Sequence, residues 1–482
     1  HLLDRVEAEQ ALRDAERCAA DDAATRPAVG IALARHALAG DDVAAAVARL
    51  DAIVDDPQAS DSDRTEARLT RVLALQTSGD ARAGEALRAI VATLPATASG
   101  PRAQAFSLLG IDALRRGEWT DASHWFARAA DDYEAIGDLA GLAGARVRNG
   151  ATHTLRSDFV SSLRLLEQAL ADATRAAHIG HQRGAILNLV KVCTQTGQLE
   201  RAAQLLERGM ALSPQFSSPA EETAFHQSAY YVAYLRGELG DALRLAERVV
   251  SHADSLADSY WKVGARLLVL DLAILTGNHS RAERWLAEAR AAGEGRVGGY
   301  HRALLAAKTA WLALERSDAD AAAGVLAELD RGLAPEAAAA PISGEDALVV
   351  DHVRARLLLA CGRIDDAWAV VAEEAPRLSL DAWTMRAAAR VAVARALGGA
   401  RLPPPEAMRA LADEVSQERL PPLESLRLGD ELAAAWAGLG LGREARRLSA
   451  QVARRRLLLD TRLAETGSGS ASAFPGTGPA AR

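Results

Sequence analysis

Apolar and small residues recur along this chain at helical spacing, in stripes that end on glycine. In the clearest stretch, Leu109 and Gly110 lie one helical turn before Ala113, so the three share a face. Gly117 is placed to end that helix, because glycine adopts the left-handed C-terminal conformation without steric cost. Thr120 and Asp121 then read as the opening of a second helix, where an oxygen can accept from free N–H groups. Ala122, Phe126 and Ala129 follow at i, i+4 and i+7, a second buried stripe. The pattern predicts an antiparallel helix pair, with Gly110 and Ala122 small because the helices approach closely there.

The pair repeats. Gly117, Gly197, Gly237 and Gly277 stand at multiples of forty residues, with Ser157 and Ser317 on the two missing rungs. Five positions after the rungs come Ala122, Ser162, Ala202, Ala242, Ala282 and Ala322. Looser copies surround Gly40 with Ala45, Gly79, Gly362 with Ala367, and Gly440 with Ala445. So strict a period marks a stack of equivalent units, each burying its face against its neighbours. Residues 1–25 read as a capping or connecting helix, 26–331 as the regular array, and 332–466 as a less regular continuation. Gly332–Glu345, Gly398–Pro405 and Leu420–Pro422 interrupt the rhythm, and 467–482 has the composition of a disordered tail.

The Leu109-Gly110 pair, Ala113, Gly117, Ala122, Phe126 and Ala129 together resemble the tetratricopeptide repeat. The resemblance implies an all-α, right-handed superhelical solenoid of about ten antiparallel helix pairs. The forty-residue period exceeds the ~34 residues usual for that repeat and equals a HEAT or armadillo length. The Gly-x4-Ala turn and the Leu-Gly pair favour the tetratricopeptide reading, with roughly one extra turn in each helix.

Composition agrees with helices: alanine, leucine and arginine dominate and aromatics are 4%. With 56 basic and 64 acidic side chains the net charge is −8, which argues against direct nucleic-acid binding by the chain as a whole. Cys18, Cys193 and Cys361 are widely spaced and form no CxxC pair, so neither a disulfide framework nor a zinc site is expected, and a cytoplasmic location is. No apolar run reaches the ~18 residues a membrane span requires, and no signal peptide is evident. The chain begins with His1, as a piece of a longer protein would.

Catalytic signatures are lacking. None of the three lysines, Lys191, Lys262 and Lys308, follows a glycine as a P-loop lysine does, and there is no HExxH, GxSxG or dinucleotide fingerprint. His178 and His181 share a face at i, i+3 but show no nearby acidic or thiol partner. No catalytic residue, metal or cofactor is expected.

In tetratricopeptide proteins the first helix of each pair lines a concave groove that holds peptides, partner domains or small ligands. Alignment on the glycine ladder gives equivalent groove-facing positions at Ile111, Ala151, Lys191, Tyr231, Asp271 and Trp311. A buried structural row would be uniformly apolar; four consecutive members of this row are not. Gln227, Tyr230 and Tyr234 add donors and rings beside it. Mixed aromatic and charged side chains on rigid helices form a recognition surface. Arg148, Asn188 and Lys191 are suited to a carboxylate or phosphate, loosely resembling the carboxylate clamp of chaperone-binding tetratricopeptide domains. Trp119, Trp125, Trp261 and Trp285 fall on other faces and read as inter-repeat packing.

The degenerate forty-residue units resemble the sensor region of MalT-type, LuxR-family ATP-dependent transcription regulators. That resemblance implies a regulatory domain whose groove binds an inducer or a protein or peptide partner. Two alternatives stand beside it: a freestanding adaptor that assembles other proteins and, more remotely, an α-solenoid enzyme.

Overall fold

The computed structural model describes residues 2–19, 22, 25–39, 42–77, 82–95, 97–212, 218–256, 259–293, 299–316, 321, 324–325, 327–328, 344–373, 380–399, 401–417 and 420–465. All regular structure among them is helical. The expectations for Gly40, Gly79, Ser317, Ala322, positions 332–343 and the tail from 467 lie outside the described residues.

The chain divides into two units, His1–Asn188 and Leu189–Arg482. The first contains α1 (Leu2–Ala19), α2 (Arg26–Ala39), α3 (Val43–Val54), α4 (Asp61–Thr77), α5 (Arg82–Thr93), α6 (Ser99–Arg115), α7 (Trp119–Ala135), α8 (Leu139–Leu155) and α9 (Phe159–Arg175). The division falls inside α10 (Ile179–Gln195). The second unit continues with α11 (Leu199–Ala211), α12 (Pro219–Leu235), α13 (Leu239–Asp254), α14 (Ser259–Leu275), α15 (His279–Gly293) and α16 (Gly299–Glu315). After these come α17 (Gly344–Ala360), α18 (Ile364–Val371), α19 (Leu380–Ala396), α20 (Pro405–Ser416), α21 (Pro422–Gly438) and α22 (Gly442–Glu465). Within each unit these helices pack mainly in sequential antiparallel pairs, as the repeat pattern predicts.

The period proves finer than forty. From α6 to α16 every helix begins twenty residues after the last, at 99, 119, 139 and onward to 299. Most are 17 residues long, so three residues make most of the connections. At the first of these, Gly117 sits at φ 74, its N–H donates to Leu114 O at 3.0 Å, and Glu118 N–H donates to Ala113 O at 2.9 Å. This is the Schellman closure. It recurs at Gly137, Ser157, Ala177, Gly197, Gly237 and Gly277, and later at Gly362 and Gly440. The residue after each left-handed position is also the first cap of the next helix, which makes the turns short and alike. Glu118, rather than Thr120 or Asp121, holds that place before α7, and it caps through its backbone carbonyl alone.

Ser157 (φ 62) and Ala177 (φ 53) occupy the left-handed region with a Cβ, so the fold imposes the turn even where glycine is missing. Ala177→Gly is expected to stabilise the protein by roughly 0.5–1 kcal/mol, the relief of Cβ strain exceeding the added chain entropy. A higher urea midpoint at unchanged m-value would show it.

The small positions mark close approach. A Cβ on Gly110 would stand 2.5 Å from the Phe126 ring, and forty residues later one on Gly150 would stand 2.6 Å from Leu166 Cγ. Ala122, Ser162, Ala202, Ala242 and Ala282 are wholly buried, and Ser162 is satisfied by donating to Gly150 O at 2.9 Å. In the first copy the buried residue is Ala46, one position beyond the expected Ala45, because α3 starts at Val43. Gly344 and Glu345 already belong to α17, not to the preceding loop.

The second unit has a continuous core from Tyr230 to Leu459. Its late helices fold back on its early ones: α22 packs on α13, and α21 reaches α12. No described helix is long and apolar enough to cross a membrane.

Candidate functional site

Helices α12, α14 and α16 start at 219, 259 and 299, so equal positions within them face the same way. Ser218 fixes the first start: its hydroxyl accepts from Glu221 N–H at 3.1 Å, and Pro219 follows at a position where no amide donor is needed. The common face then presents Gln227, Tyr230, Tyr231 and Tyr234 from α12, Leu268 and Asp271 from α14, and Lys308 and Trp311 from α16. Asp381, Ala382 and Met385 of α19 and Glu424 of α21 close the opposite side. Together they enclose a cavity of about 220 Å³, the scale of one side chain or a small organic molecule. Tyr231 and Tyr260, 38% and 53% exposed, stand at its mouth.

The charges inside are unequal: three carboxyl groups, Asp271, Asp381 and Glu424, face one lysine. Lys308 Nζ lies 2.7 Å from Asp271 Oδ1 and 4.8 Å from the Trp311 ring centroid, so ion pairing and a cation–π contact hold it together. Burial raises the Asp271 pKa against the pull of Lys308. The Tyr234 hydroxyl donates to Glu424 Oε2 at 2.5 Å, joining helices 190 residues apart in sequence. Burial, reinforced by the nearby Asp381 charge, pushes Glu424 up to about 7. Burial likewise drives the Tyr230 and Tyr234 phenols well above their ordinary range, so both remain donors at neutral pH.

Behind Trp311 lies a second buried charge centre. Glu315 Oε1 accepts from Trp311 Nε1 at 3.1 Å, Arg356 Nη1 at 2.9 Å and Arg427 Nη2 at 2.7 Å. These groups hold the indole on which Lys308 rests.

Six residues expected from the sequence, Gln227, Tyr230, Tyr231, Tyr234, Asp271 and Trp311, line this one cavity. Trp261, expected on another face, lines it too. Lys191 is an exposed residue of the second unit outside the cavity lining. Arg148 and Asn188 belong to the first unit, and the Asn188 amide donates to Gly184 O of its own helix at 2.8 Å. Lys308 is legible in principle, since it stands one turn before Trp311 on the same face. Asp381 and Glu424 lie beyond the regular ladder, and no periodic signal marks them.

Two further polar groupings belong to the first unit. The His178 and His181 rings stack at 4.0 Å, and His181 N–H donates to His178 Nδ1 at 3.1 Å. Burial, then the neighbouring His178 and Arg148, push His181 down to about 4. Ser123, His153 and Asp158 are spaced like a nucleophile, base and orienting acid, with Oγ···Nε2 3.2 Å and Nδ1···Oδ2 3.0 Å. Yet the Ser123 hydroxyl also donates to Asn149 Oδ1 at 2.8 Å, and Asp158 caps α9 by accepting from Ser161 N–H. Ser123 stands within α7, where the adjacent Ala122 N–H is bonded to Glu118 O, so this amide is not free to stabilise an oxyanion. The trio reads as an interhelical capping network.

No protein-family profile matches the sequence, and no curated protein matches it. Solved structures do. A Rap protein complexed with competence and sporulation factor aligns with a TM-score of 0.53 at 12% identity, over 72% of this chain and 96% of that one. The apo form of RapI aligns with a TM-score of 0.50 at 10% identity, over 78% and 99%. At such identities the likeness is one of fold: this chain is an all-α, tetratricopeptide-like helical repeat protein similar in architecture to the Rap proteins.

Proposed function

We propose that this chain is a receptor domain whose second-unit cavity binds the cationic group of a peptide or small molecule. The observation that carries this reading is the convergence of Asp271, Asp381 and Glu424 inside an aromatic enclosure. Rings and carboxylates together suit an ammonium or guanidinium, through cation–π attraction and charge-assisted hydrogen bonds. The crystallised complex of a Rap protein with its competence and sporulation factor supports ligand binding by a chain of this architecture.

The site is also placed to report occupancy. A cation that takes Glu424 from Tyr234 acts on the contact joining α12 to α21. A ligand shifts such a closure only by its difference in affinity between the two states. In this proposal the domain is the sensor of a larger LuxR-type regulator, and closure of the second unit is the signal passed on.

Blocked tripeptides differing at the central residue provide the test. Lysine and arginine members should raise the melting temperature, while norleucine and glutamate members should not. Asp381→Asn should weaken the basic peptides at least tenfold, the lower range for losing a desolvated charge partner. Equal binding of basic and acidic members, or no effect of Asp381→Asn, would overturn the proposal.

A further inference from the structure

Away from the cavity, near the opposite end of α12, three ligand-type side chains converge. Glu222 and His226 stand at i, i+4 on α12, and His252 comes from the last turn of α13. Antiparallel packing of the two helices brings the start of one to the end of the other. His226 Nε2 lies 3.7 Å from Glu222 Oε1, and His252 Nδ1 lies 3.7 Å from Glu222 Oε2. All three donor atoms fall within 4.8 Å of one another. At 3.7 Å neither carboxylate contact is a hydrogen bond, so the three donor atoms lie close together without being held by direct hydrogen bonds to one another.

We infer that Glu222, His226 and His252 form a divalent transition-metal site that pins α12 to α13. An ion held at about 2.0–2.2 Å with near-tetrahedral angles separates its donors by roughly 3.3–3.5 Å. The observed spacing, 3.7 Å for each histidine–glutamate pair and at most 4.8 Å overall, is slightly wider than that. Two imidazoles and one carboxylate select zinc, cobalt, nickel or copper over magnesium or calcium, which prefer all-oxygen shells. Three protein donors leave the fourth position for water or an incoming ligand atom.

The placement gives the ion a structural consequence. His226 precedes Gln227 and lies one turn before Tyr230, both of which line the cavity. Ligation fixes the rotation of α12 and with it the face that carries those two residues. The zinc titration is made with no cavity ligand present, so the two proposals stand or fall separately.

The test uses the full chain without an affinity tag, stripped with EDTA and titrated with zinc chloride by calorimetry. One zinc ion per chain is expected, together with a raised melting temperature. Glu222→Gln and His252→Ala, both at partly exposed positions, should weaken zinc binding at least tenfold and abolish the thermal shift. Circular dichroism should show their helix content unchanged. Cobalt should give a visible ligand-field band in the parent protein that His252→Ala removes. Failure to bind zinc stoichiometrically would overturn the site, as would variants that bind like the parent or magnesium that matches zinc.

Discussion

Glu315→Ala is expected to destabilise the second unit by about 3–5 kcal/mol, the usual consequence of removing one partner from a buried charge group. A single carboxylate oxygen here takes donors from Trp311, Arg356 and Arg427. Burial alone would raise the Glu315 pKa, but Arg427 and Arg356 outweigh it and hold the carboxyl below its ordinary value. Arg427 carries its own burial cost, which with repulsion from Arg356 pushes it down to about 10. Alanine would leave both guanidiniums without their counter-ion. Because the folded pKa of Glu315 is depressed, its contribution is present above the ordinary glutamate value and is lost as pH falls through the folded one. Urea unfolding of Glu315→Ala, Arg427→Met and the double variant gives the measurement. The double variant should lose clearly less than the sum of the singles, since the second change removes a charge the first has stranded. Strict additivity would show that the group does not act as a unit.

Glu424→Gln is expected to work in the opposite direction, with a gain that grows from about the ordinary value of 4.5 and is nearly complete at about 7. The carboxyl titrates at about 7 in the folded protein against an ordinary value of 4.5. Between those values the folded state binds more protons than the unfolded one, so stability falls as pH rises through this window and levels off above it. At about 1.4 kcal/mol per pH unit, the loss is on the order of 3 kcal/mol. Glutamine keeps an oxygen to accept from Tyr234 and carries no charge. The variant should match the parent below about pH 4 and exceed its stability at pH 8, as urea midpoints across that range would reveal. It should also lose affinity for a cationic ligand above pH 7, where the parent carboxylate is charged. A parent and variant with the same pH slope would overturn the assignment of this proton to Glu424.

The two substitutions separate a charge centre that stabilises the fold from one that is maintained at a cost. Glu315 has counter-ions on two helices. Glu424 has a tyrosine hydroxyl beside it and the Asp381 carboxylate nearby, with the Arg427 charge also within reach, and its burial makes the charged form costly in the folded protein. A site built for binding is often less stable than its surroundings for this reason.

Sequence alone determined the repeating unit of this protein. Its turns depend on a few consecutive residues: a left-handed position, a short cap and a small residue five places on. Ser157 and Ala177 show that the local rule operates even when glycine is absent. Constant twenty-residue spacing of the helix starts then carries one register from α12 to α14 to α16, which is why their forty-residue spacing suffices to put Tyr231, Asp271 and Trp311 on one face. Tertiary structure alone decided what that face meets. Asp381, Glu424, Arg356 and Arg427 come from helices beyond the point where the ladder breaks, and they reach the cavity and its backing because the second unit folds back on itself. The same folding back removes Glu424 from water, and with it sets the proton that the cavity holds. Period and capping are short-range properties of the chain; enclosure and pKa arise from contacts more than a hundred residues apart, which no local pattern encodes.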